Sequence, residues 1–144
     1  MERLFTKNLV SIAAARTMKY RGYNEPTQYF YNGDKICLRT KQTDIDAEKG
    51  HYEEYIPVPF IINAMMWIEN KYDACISIHS KHFYKPDGRL RFTLHDGYVR
   101  YSRGYYGDYG FMKSIGSGYS ELDELLKLGI DVALGIKDAV EDNK

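Results

Sequence analysis

The period of the hydrophobic positions changes several times along the chain. Over residues 4–19, Leu4, Phe5, Leu9, Ile12, Ala13 and Arg16 recur three and four apart, and Ala13-Ala14-Ala15 adds strong helix formers. That spacing predicts a helix, which Gly22 and then Pro26 end. Residues 28–40 read as a hairpin. Tyr29, Phe30 and Tyr31 lead in, Ile36, Cys37 and Leu38 lead out, and Asn32-Gly33 predicts a type I′ turn with both residues at its centre. Residues 41–55 are polar and aperiodic, which reads as a connector. Pro59 is expected at the first position of a second helix. Phe60, Ile61, Ile62, Ala64, Met65, Met66, Trp67 and Ile68 leave little polar circumference, so this helix is expected at the centre of the fold, buried on several sides.

A meander follows. In residues 74–84, Ile76 and Ile78 alternate with Ser77 and His79. Pro86-Asp87-Gly88 predicts a turn. Leu90, Phe92 and Leu94 then alternate with Arg91, Thr93 and His95, the pattern of a half-buried strand. Asp96-Gly97 reads as a second turn, and residues 98–102 as the returning strand. The last helix is expected from Ser120, with Ser120 and Asp123 as a capping box. Leu122, Leu125, Leu126, Val132, Ala133, Ile136 and Val140 supply its apolar stripe. The predicted order is α-β-β-α-β-β-β-α. This is an α+β fold with an antiparallel sheet of about five strands and three helices, in one domain spanning residues 1–144.

Composition narrows the class. The 144 residues are 44% apolar and 28% charged, with formal charge zero. This excludes a disordered tail, a collagen-like repeat and a disulfide scaffold. No apolar run approaches the roughly 20 residues of a membrane span, and the N-terminal stretch lacks the apolar core of a secretory signal. Cys37 and Cys75 fall in predicted strands and read as reduced thiols, so a cytoplasmic location is expected. Two cysteines do not complete a four-ligand zinc site, and no metal or cofactor is implied.

Charge is unevenly distributed. Residues 79–115 carry seven Lys/Arg against three Asp/Glu, while residues 116–144 carry three against seven. The basic block holds the densest aromatic stretch. Tyr98, Tyr101, Tyr105, Tyr106 and Tyr109 stand among Arg100, Arg103 and Lys113, with five glycines between residues 104 and 118. Tyrosine offers a large rigid contact area with a polar tip, and glycine lets a loop adapt. Arginine beside tyrosine also suits bases and phosphates. The alternative is that half of these tyrosines pack the sheet and the glycines only make turns.

Three other groupings are weaker. Residues 115–120 form a glycine-rich run before a helix, but the Walker ending is missing and Glu121 stands where a dinucleotide fingerprint needs its third glycine. Counting from Asp44, the acidic cluster Asp44, Asp46, Glu48, His51, Glu53 and Glu54 places Lys49 and Tyr55 where a calcium loop requires glycine and glutamate. By the two-residue period, His79 and His95 are expected on one strand face, where Arg91 and Asp96 would complete an acid/base set.

The leading expectation is a non-enzymatic cytosolic binding protein, inhibitor- or adaptor-like. It would engage a macromolecule, a protein first, through residues 98–119 aided by Arg89 and Arg91. Nucleic-acid or nucleotide binding through the same surface is the alternative. A small hydrolase or transferase on His79, His95, Asp96 and Arg91 is the third. Tyrosines and an edge strand also allow a homo-oligomer.

Overall fold

The first helix among the described residues begins at a hydroxyl. Ser11 Oγ accepts the Ala14 amide at 3.1 Å and caps α1 (Ile12–Tyr20), so the helix starts later than its apolar spacing suggests. Leu9 instead bridges Phe60, and the Val10 amide donates to the Pro59 carbonyl. The computed structural model describes residues 8–101 and 112–136; the predicted helical residues 4–7 lie outside them. Within the described residues, those up to Ala64 form one compact unit and those from Met65 form another.

The first unit continues with β1 (Tyr29–Asn32), β2 (Lys35–Leu38), α2 (Lys41–Glu48) and β3 (Ile56–Val58). Its antiparallel sheet runs β2-β1-β3. The hairpin forms as expected, with its turn one residue later. Asn32 pairs with Lys35, leaving Gly33-Asp34 as the loop, and only Gly33 has positive φ, at 63°. One positive φ at the first centre is the type II′ requirement, not I′. The predicted connector contains a helix and a strand. Thr40 and Thr43 cap α2 reciprocally, each side chain bonded to the other's backbone amide. Ile56 and Val58 pair with Tyr31 and Tyr29, placing Pro57 in an edge strand. Leu9, Val10, Ala14, Met18, Phe30, Tyr31, Ile56 and Val58 are buried. The Tyr31 hydroxyl reaches the Val10 carbonyl at 3.0 Å, which satisfies a buried polar group.

The acidic cluster is distributed among local pairs. Asp44 accepts from Arg39 at 2.9 Å and from the Tyr55 hydroxyl. Asp46 accepts from Gln42, and Glu54 takes both Arg16 nitrogens at 2.9 and 2.6 Å. No cluster of His, Cys, Asp or Glu with metal-ligand grouping occurs among the described residues.

Helix α3 (Ile61–Tyr72) crosses the boundary between the units. It starts after Pro59 because Phe60 is held in its bridge to Leu9. Ile61, Ala64 and Ile68 are buried, whereas Ile62 is 67% and Met66 59% exposed. The helix therefore buries one face, not several.

In the second unit, β4 (Ala74–Tyr84), β5 (Leu90–Tyr101) and β6 (Met112–Tyr119) form an antiparallel sheet in that order, followed by α4 (Leu122–Ala133). Two corrections apply to the meander. Asp96-Gly97 lies inside one continuous strand, and the glycine-rich run is β6 instead of a loop. The N-cap of α4 is Glu121 and carries no side-chain cap bond, so the Ser120 box does not form.

Two glycines bring α4 close to the sheet. A β-carbon on Gly97 would lie 3.1 Å from Leu125 Cγ, and one on Gly129 would lie 2.8 Å from Ile115 Cδ1 and 3.1 Å from Ile76. The helix therefore covers the face that carries Ile76, Ile78, Gly97, Val99 and Ile115. Leu125, Ile130 and Val132 are buried there, each contributing about 1.5–3 kcal/mol of apolar burial.

Candidate binding surface of the second unit

The register assigns every β4–β5 side chain to a face. Ile78 pairs with Gly97, Ile76 with Val99 and Ala74 with Tyr101, all on the helix-covered face. Directly paired residues share a face, so Ser80 with His95 and His82 with Thr93 continue that row. Cys75–Arg100, Ser77–Tyr98, His79–Asp96, Lys81–Leu94 and Phe83–Phe92 lie on the opposite face.

This separates the expected acid/base set. His79 shares a face with Asp96, and His95 points the other way, where its Nδ1 lies 2.6 Å from Ser80 Oγ. His82 Nδ1 lies 2.8 Å from Thr93 Oγ1. The Asp96 carboxylate accepts the Gly118 amide at 2.9 Å. That bond sits where Ser117 and Gly118 together oppose Asp96, between the pairs Gly97–Gly116 and His95–Tyr119. Alternation counted from Leu90 puts both histidines on one face. The ladder shifts between Phe83 and Tyr84, which face Phe92 and Leu90, so Arg91 is the extra residue. The core side is accordingly set by Gly97 and Val99.

The expected binding residues fall in three places. Arg103, Tyr105, Tyr106 and Tyr109 lie outside the described residues. Tyr98 and Arg100 occupy the helix-free face beside Ser114 and Met112 of β6. Tyr101 faces the helix-covered side, and burial raises its phenol pKa. Lys113 is exposed opposite Val99. Arg89 and Arg91 stand at the far end of β5. Arg100 is nine steps along the strand from Arg91, about 30 Å at 3.4 Å per residue.

The far end of the hairpin carries its own grouping. Phe83 and Phe92 stack with centroids 4.6 Å apart and planes 24° apart. Lys81 Nζ lies 5.5 Å from the Phe83 ring, and the Arg91 guanidinium 5.7 Å from the Phe92 ring. Tyr84 is 62%, Leu90 55% and Phe92 41% exposed. In the turn, Asp87 accepts from the Arg89 backbone and guanidinium, both at 3.0 Å. Lys81, Lys85, Arg89 and Arg91 thus face solvent with Asp87 as the single acid among residues 80–94. Phe83, Lys81 and Tyr84 were absent from the expected set. The signal that finds them is the Pro86-Asp87-Gly88 turn, which folds residue 83 back onto residue 92.

Among the described residues, no helix is long and apolar enough to cross a membrane. Cys37 and Cys75 are free thiols and half-buried. No family model, curated protein or solved structure matches the chain.

Proposed function

We propose that the chain is a non-enzymatic, cytosolic binding protein that engages a macromolecule through the far end of the β4–β5 hairpin. The observation that carries this is the exposure, at the far end of the hairpin beside Arg91, of Phe92 on the face away from α4 and of Tyr84 and Leu90 on the other face. Large apolar groups left in water cost free energy, and their grouping with arginine is typical of contact hot spots. The surrounding cations favour a partner with a negative surface. The centre of the site then lies at residues 81–92 instead of 98–119, with Arg89 and Arg91 common to both.

A hydrolytic reading is less supported. Ser80 and His95 make one hydroxyl–imidazole contact, but Asp96 lies on the other face and is bonded to Gly118.

The test is an affinity purification with wild-type protein and with Arg91→Ala/Phe92→Ala. A partner retained by the wild type and lost by a variant with an equal melting temperature supports the reading. A partner retained equally by both proteins overturns it.

A further inference from the structure

The charge and ring geometry of this hairpin identify the partner more closely. Between residues 81 and 91 there are four cations, Lys81, Lys85, Arg89 and Arg91, against Asp87. Each large apolar side chain has a cation beside it in sequence or over its ring: Phe83 with Lys81, Tyr84 with Lys85, Leu90 with Arg89, Phe92 with Arg91. A protein interface segregates these classes, with lysine depleted from its centre. Here they are interleaved, one by one in Arg89-Leu90-Arg91-Phe92 and with Lys81 and Lys85 flanking Phe83 and Tyr84. A ligand that matches such spacing carries negative charge and flat apolar surface in alternation.

Resting on the reading above, we propose that the hairpin binds single-stranded nucleic acid. Lys81, Lys85, Arg89 and Arg91 hold phosphates. A base stacks on the Arg91 guanidinium and the exposed part of the Phe92 ring, whose other side is stacked on Phe83. Stacking requires unpaired bases, and every base presents a π face, so binding is tolerant of sequence. A duplex offers the same phosphates but keeps its rings stacked on one another.

The experiment is fluorescence anisotropy with a labelled oligothymidylate about 15 nucleotides long, titrated with the full chain at several salt concentrations. Heparin and duplex DNA serve as competitors. Three or four neutralised phosphates give a log–log salt slope of about −2 to −3, at 0.7 per phosphate. Phe92→Ala weakens binding about tenfold or more, Phe92→Tyr restores it, and Lys85→Gln flattens the slope by about 0.7. Equal displacement by heparin and duplex, with no effect of Phe92→Ala, reveals a general polyanion surface and overturns the single-strand assignment. An absence of oligonucleotide binding also overturns it, even if Arg91→Ala/Phe92→Ala still releases a captured protein. In that case the hairpin reading survives. If the variant releases nothing either, both fail together.

Discussion

Asp96 holds the backbone of Gly118 on the neighbouring strand at 2.9 Å, and Gly118 has φ of 74°. The carboxylate accepts from an amide at one of the two places where β6 has an extra residue opposite β5. This fixes the register through which Tyr119 meets His95, with the Tyr119 ring passing 2.5 Å from where a β-carbon on Gly116 would stand.

Asp96→Ala is therefore expected to lower stability by about 1 kcal/mol, less than a buried charge-assisted bond because the site is exposed. Asp96→Asn retains an acceptor and is expected to lose less. Denaturant melts give the energies. Hydrogen exchange at the Gly118 amide should accelerate in the alanine variant, and unchanged exchange would contradict the assignment.

Gly129 and Ile115 should be coupled. Alanine at position 129 gains about 1 kcal/mol of helix propensity but meets Ile115 Cδ1, and overpacking costs about 1–3 kcal/mol. The single variant is expected to be neutral or destabilised by up to about 2 kcal/mol. Ile115→Val removes the obstructing atom, so a double-mutant cycle should return a coupling above about 0.5 kcal/mol. Simple additivity would show that α4 has room to rise from the sheet.

Leu125 and Phe92 should respond in opposite ways to truncation. Leu125 is fully buried, so Leu125→Ala is expected to cost about 2–5 kcal/mol. Phe92 is 41% exposed, and its loss removes mainly the stack on Phe83, about 1 kcal/mol. Thermal melts of the two variants check this. A Phe92 loss as large as that of Leu125 would make the ring structural and weaken the binding proposal.

Acid should destabilise the first unit. Hydrogen bonds from Arg39 and then from Tyr55 lower the Asp44 pKa, and Arg16 lowers that of Glu54. Because both folded values lie below the unfolded ones, the stabilisation is complete above the ordinary carboxylate range. It is lost as pH falls through the depressed folded values, below about 4. Asp44→Asn should flatten the acid limb of a stability–pH curve in this window and leave neutral pH changed by about 1 kcal/mol or less. An unaltered acid limb would mean the pair does not form in solution.

The sequence shows some of these features and conceals others for identifiable reasons. The first hairpin, the 86–88 turn and the α4 stripe follow from local chemistry, and so does the α+β class. Helix α2 is hidden because its signals are two threonines at its start and Gly50 at its end, with no apolar stripe between them; none of its residues is buried. Asp96-Gly97 misleads because turn chemistry is only one reason for that dipeptide. Here the aspartate serves a bulge on another strand, and the glycine admits Leu125. Both reasons act over long sequence separation. The position of Phe92 is hidden similarly, since the extra residue Arg91 breaks the alternation and puts Phe92 on the face away from α4.

Pro57 has a consequence for what the first sheet will not do. It sits in a three-residue strand at the sheet's edge and has no amide hydrogen to offer. An incoming strand finds a short edge with a donor missing, a device that discourages polymerisation through sheet edges. The β3 edge of the first unit is thereby guarded against pairing by its own backbone, at no cost in surface charge.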